Sequence, residues 1–226
     1  MTLAICSTTI DWDATGSMLQ GWGALGACAT VVIAAMLGRA GVKDWRRQKQ
    51  EERRMDVGEK LLVAAYKARD AIDGIRANFA PAAELSQAEE ALKTSGFDSS
   101  LMDRDERGRV IHAQAIMTRI NARKDVFTDL YAVMPSTKAF FGREIEAQLE
   151  AFLAARNSIH VSAEMYAEGH GGDEELGKSI RADLWTGHGK YAAIDPIANK
   201  VNAAIKAVED VVLPILRGPQ AKADKP

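Results

Sequence analysis

The side chains best suited to chemistry lie in the second half of the chain. Arg156, Asn157 and His160 belong to the run R-N-S-I-H, which places a cation, an amide and an imidazole close together on a helix. An arginine and a histidine four positions apart are equally the ordinary content of a polar helix face. His170, Asp173, Glu174 and Glu175, with His188 further on, are residue types that ligate metals. They sit around a glycine-rich loop, which cannot supply the fixed geometry and outer partners of a metal site, so no metal and no cofactor is expected. Residues 186–190, T-G-H-G-K, lack the spacing of a phosphate-binding loop and follow no strand. Neither Cys6 nor Cys28 stands in a nucleophile arrangement with a histidine, and no serine does. Glu89, Glu90, Glu144 and Glu146 lack the Glu-x-x-His pairs of a di-iron bundle. With only four histidines in 226 residues, no catalytic constellation assembles, and the expectation is a protein that is not an enzyme.

R-N-S-I-H resembles a shortened form of the Arg-to-His motif of HEPN ribonucleases, an α-helical family. That resemblance implies metal-independent RNA cleavage, with Arg156 and His160 meeting across a dimer. Three residues separate the two side chains here, fewer than the family uses, which shifts the register of His160.

The elements that would position any site follow from composition and period. The chain is 47% hydrophobic and 27% charged, which excludes a disordered or collagen-like polymer and a multi-pass membrane protein. Twenty-nine bases against 31 acids leave a net charge of -2, so no global basic field points to DNA, and no DNA partner is expected. Two cysteines are too few for a disulfide framework.

Residues 14–38 carry no charge, and residues 19–38 read LQGWGALGACATVVIAAMLG. Twenty helical residues span about 30 Å, the thickness of bilayer hydrocarbon. Trp22 and Trp45 lie about 34 Å apart on such a helix, where interfacial tryptophans belong. No base precedes Arg39, whereas Arg39, Lys43, Arg46, Arg47 and Lys49 follow at once. These residues predict a retained single-pass anchor with its amino terminus outside and the remainder in the cytoplasm. A cleaved signal peptide would need bases before the apolar run rather than after it. Residues 39–54 hold seven bases and three acids, a local charge of +4 that attracts anionic lipid. Gly26, Thr30, Ala34 and Gly38 recur every four residues and form a small-residue stripe through which two helices could pack closely.

Beyond residue 54 each apolar set follows the helical period, and alternating β-branched runs are missing from the sequence. The predicted fold is all-α: one amino-terminal transmembrane helix followed by an antiparallel bundle of about four long helices. The first bundle helix carries Val57, Leu61, Ala64, Ala68, Ile72, Ile75 and Phe79 and is expected to end near Pro81. AAELSQAEEALKT makes a shorter helix, and a third, from Ala113 to Met134, is expected to stop at Pro135. Ser136 is the expected N-cap of a fourth, bearing Phe141 through Tyr166, and Asp195 with Pro196 opens the last. The domain reading is a short extracytoplasmic tail at 1–18, a transmembrane helix at 19–41, a cytoplasmic bundle at 42–218 and a disordered tail at 219–226.

The anchor, the basic collar, and the stretches AAYKARDAIDGIR at 64–76, YAVMPSTKAFFG at 131–142 and DPIANKVNAAIKAVEDVVLPILRG at 195–218 resemble a group of uncharacterised bacterial single-pass membrane proteins. The resemblance implies an inner-membrane location and a helical cytoplasmic domain, and it carries no catalytic residue over. The expected function is a non-enzymatic interaction scaffold that self-associates, contacts membrane lipid and tethers a cytoplasmic protein partner. A membrane-perturbing effector of a toxin or anti-phage system is the alternative, and the HEPN-like ribonuclease is the third.

Overall fold

Seven α-helices account for nearly all of the described chain, and no strand occurs among the described residues. The computed structural model describes residues 12–97, 102–170, 174–187 and 195–217; for 12–29, 32, 33, 35, 37, 40 and 174 the description stops at the backbone. In order these helices are α1 Trp12–Ile75, α2 Ala82–Thr94, α3 Arg104–Ala122, α4 Lys124–Phe141, α5 Arg143–Ala167, α6 Glu174–Leu184 and α7 Pro196–Leu216. The all-α expectation is therefore met. The chain divides into two units, Met1–Arg53 and Arg54–Pro226.

In the first unit the expectation of a separate membrane-spanning helix at 19–41 is not borne out. Among the described residues no helix is long and apolar enough to cross a membrane. The apolar run lacks an end of its own, because helical backbone continues through Gly38 and Gly41 into the charged residues that follow. The side chains of Trp22 and Gly26 lie outside the described residues, as do residues 1–11 of the expected tail and all of 219–226.

The second unit is built around α5, which packs against α3, α4, α6 and α7. Its buried Leu149, Phe152, Ile159 and Ala163 recur at helical spacing and meet Ile116 and Ile120 of α3, Leu130 of α4 and Val201 and Val208 of α7 in one core. The α1 residues Leu61, Ala65, Ala68, Ile72 and Ile75 complete that core. Gly58 lets α7 approach closely: a Cβ placed there would stand 3.2 Å from Val212 Cγ1 and 3.4 Å from Phe141 Cζ.

Helix ends correct the sequence reading in several places. The third expected helix is two, broken at Arg123, and Pro135 lies inside α4 instead of ending it. Proline there removes the bond to the Tyr131 carbonyl. Tyr131 and Pro135 are both exposed, so the freed acceptor lies on the wet side of the helix. The actual stop is Gly142, with φ 88° and ψ 176°, a backbone conformation that glycine adopts without steric penalty. Ser136, expected as a cap, donates from Oγ to the Val133 carbonyl within α4. The first bundle helix ends at Ile75, earlier than Pro81, while α2 covers AAELSQAEEALKT as expected. Asp195 caps α7 by accepting from the Ala198 N–H at 2.9 Å, with Pro196 in the first turn.

Candidate membrane and assembly surface

Every described side chain from residue 30 to residue 56 is exposed. That stretch includes Val31, Met36 and Trp45 at 67%, 66% and 60% exposure, with Val42 between them. A helix that displays large apolar side chains without covering them is a surface for another molecule or a bilayer. Thr30, Ala34 and Gly38, the described members of the small-residue stripe, are exposed, and the space over Gly38 and Gly41 is open within 4 Å. Of the predicted collar, Arg47 stands 3.9 Å from Glu51 and Lys49 2.6 Å from Glu52. Among the described residues Arg39, Lys43 and Arg46 have no carboxylate within 4.0 Å, so their charge is available to a partner.

In the second unit, the structure does not join the three candidate catalytic side chains. Arg156 lies over the Phe127 ring, 5.5 Å from its centroid, and its Nε is buried without a hydrogen-bond partner. His160 Nδ1 is 3.8 Å from a Glu164 carboxylate oxygen and 40% of the side chain is exposed, while Asn157 is exposed. Among the described residues no group of three or more histidine, cysteine or acidic side chains could hold a metal. His170 pairs with Glu168 at 3.2 Å; Asp173 and His188 lie outside the described residues.

No protein-family model matches the chain, and neither does any curated protein or solved structure.

Two arginines hold the loop ends of the second unit, and sequence reading missed both roles. Arg76, fully buried just past α1, donates from Nε to the Asp183 carbonyl at 2.8 Å and from Nη2 to the carbonyls of Ala182 and Trp185. Its Nη2 also donates to both Asp195 carboxylate oxygens, at 2.9 and 2.8 Å. One guanidinium thus satisfies the carbonyls at the end of α6 and grips the cap of α7. Arg119 of α3 holds both oxygens of Glu84, at 2.6 and 2.9 Å, and donates to the carbonyls of Ile75, Ala77 and Phe79. Its hydrogen bonds keep the Glu84 carboxyl below the ordinary carboxylate range, against an opposing push from partial burial. On α1, the Tyr66 hydroxyl donates to Glu209 of α7, and this bond, with burial and the Glu209 charge, raises the phenol above its usual value. A shallow groove of about 410 Å³ between α1 and α4 is lined by Glu59, Val63, Lys67 and Asp129 among others, with acids and bases mixed around an apolar floor.

Proposed function

We propose that this chain is a non-enzymatic, membrane-anchored helical scaffold, whose amino-terminal helix self-associates and whose bundle holds a cytoplasmic protein at a bacterial inner membrane. The observation that carries this reading is the uncovered helix from residue 30 to 56, where apolar Val31, Met36 and Trp45 accompany Arg39, Lys43 and Arg46, bases with no carboxylate within 4.0 Å among the described residues. The uncharged stretch 14–38 supplies length for the anchor, and the bases that follow orient it with the bundle inside. The Thr30, Ala34 and Gly38 stripe supplies a face for a second copy, with packing contacts as the driving force. A scaffold is further supported by the partners that Arg156 and His160 already have, Phe127 and Glu164, which are packing and surface contacts.

The test has two parts. Membranes from cells expressing the full chain are washed with alkaline carbonate, and a retained chain supports the anchor while an extracted chain refutes it. The chain is then sized in detergent by crosslinking and light scattering, beside Gly38→Ile. A dimer that the substitution converts to monomer supports the stripe; a monomer in both refutes self-association.

A further inference from the structure

The bases after the apolar run are sorted by face as well as by sequence. At about 100° per residue, Arg39, Lys43, Arg46, Arg47 and Arg53 fall within about 120° of the helix circumference. Asp44, Glu51 and Glu52 all lie outside that arc, and so does Lys49, which pairs with Glu52. Val42, 51% exposed, borders the basic arc, and Trp45 lies beyond it toward the acidic side. Orienting an anchor needs only the number of bases near the membrane, counted without regard to face. Segregation onto one side of a helix is the further requirement of a rod lying along a charged plane.

We infer that α1, continuous through Gly38 and Gly41, turns at these glycines beside a bilayer, and that residues 39–53 then dock lengthwise on anionic phospholipid headgroups through the Arg39, Lys43, Arg46, Arg47 and Arg53 face. The inference rests on the membrane-anchored reading for the presence of a bilayer beside residue 39, and it names the lipid class which that site takes. Two observations favour lipid over another polyanion: the arc directly follows an uncharged run, and it is bordered by an exposed aliphatic side chain.

The experiment uses the full chain with Cys6→Ser and Cys28→Ser, spin-labelled at either Gln50→Cys or Gln48→Cys. Gln50 lies at the middle of the basic arc, and Gln48 lies about 160° away among the acids. The chain is reconstituted into vesicles of phosphatidylcholine alone or of equal parts phosphatidylcholine and phosphatidylglycerol. Collision with an aqueous nickel reagent is expected to be at least about threefold slower at position 50 than at 48 in the anionic vesicles only. Exchanging Lys43 with Asp44 (Lys43→Asp, Asp44→Lys) and Arg47 with Glu51 (Arg47→Glu, Glu51→Arg) preserves composition and net charge, and is expected to abolish that difference. Circular dichroism confirms that the exchanged chain keeps its helix. Equal access at both positions, the same ratio in neutral vesicles, or a ratio indifferent to the exchange overturns the inference. So does release of position 50 from anionic vesicles by a single-stranded oligonucleotide at stoichiometric amounts, which reassigns the face to nucleic acid. Carbonate washing of the same vesicles separates the two readings: an extracted chain that still shows the asymmetry refutes the anchor and leaves the lipid face standing.

Discussion

Replacing Arg76 by methionine removes a side chain that joins three separate parts of the bundle. The guanidinium is 0% exposed, the Asp195 side chain it grips is 12% exposed, and three carbonyls at the end of α6 depend on it. Methionine fills similar volume, so the loss is electrostatic and not a cavity. Removing one partner of a buried ion pair destabilises by about 3–5 kcal/mol, because the other charge is left buried and unpaired. Against a total of about 5–15 kcal/mol for a domain, that is a large fraction. At about 2–4 °C per kcal/mol for a chain of this size, the melting temperature should fall by about 6–20 °C. Asp195→Asn keeps an acceptor for the Ala198 N–H, so it isolates the charge from the cap. The full chain in detergent, with Trp12, Trp22 and Trp45 replaced by phenylalanine, is unfolded in urea and followed by far-ultraviolet circular dichroism, with the fluorescence of Trp185 as a local report. The tryptophan packs edge-on against Tyr166 with ring centroids 5.2 Å apart. In the double-mutant cycle the two substitutions should couple by about 1–3 kcal/mol. A loss below about 1 kcal/mol for Arg76→Met, or strict additivity with Asp195→Asn, refutes the latch.

Other outcomes test separate parts of the structure. Glu84→Gln should destabilise the chain at neutral pH and lose that effect in acid. The folded carboxyl sits below its unfolded value, so its contribution is present above the ordinary carboxylate range and vanishes as pH falls through the folded value; parallel curves at all pH values would contradict this. Gly58→Leu should cost about 1–3 kcal/mol or more by driving a side chain into Val212 and Phe141, and unchanged urea stability would show that α7 yields freely. Tyr66 should ionise later than an exposed tyrosine in an alkaline absorbance titration, and Tyr66→Phe should remove that late component. Because the folded phenol is raised, its stabilising effect holds below the ordinary tyrosine value and fades as pH climbs through the folded one. Phe152→Ala, at the centre of α5, should cost about 3–5 kcal/mol by the same urea measurement.

What could be read from the sequence divides along the range of the forces involved. Apolar spacing reports burial on a helix face, and Leu61, Ile72, Leu149, Ile159 and Val208 all reach the core that their spacing implied. Local capping was equally readable at Asp195, where the donor lies three residues away. Pro135 misled because a helix tolerates a proline more readily where the freed carbonyl is hydrated, and orientation toward water is a tertiary fact. Gly142 marks the true stop through its positive φ, a signal that glycine beside two phenylalanines offered in the sequence. Arg76 was hidden by distance: its carboxylate lies 119 positions away. One clue was available, an arginine immediately after Ile75 of the apolar face and near its expected end. The collar was legible as a count of charges, yet its division between two faces required placing each base at its helical angle, which also brings in Arg53 and removes Lys49.

The separation between Arg76 and Asp195 also has a consequence for how the chain is made. A ribosome adds about 5–20 residues per second, so the 119 positions between them take about 6–24 seconds to synthesise. Through that interval the inward face of α1, with Leu61, Ile72 and Ile75, has emerged while α7, which covers part of it, does not yet exist. The buried guanidinium likewise has no carboxylate to meet. A nascent chain of this kind must be shielded, as by a chaperone, until nearly its last residues arrive. Loss of the final helix would leave the same unfinished face as a permanent state, and a cell should treat a chain truncated before residue 195 as unfolded and degrade it.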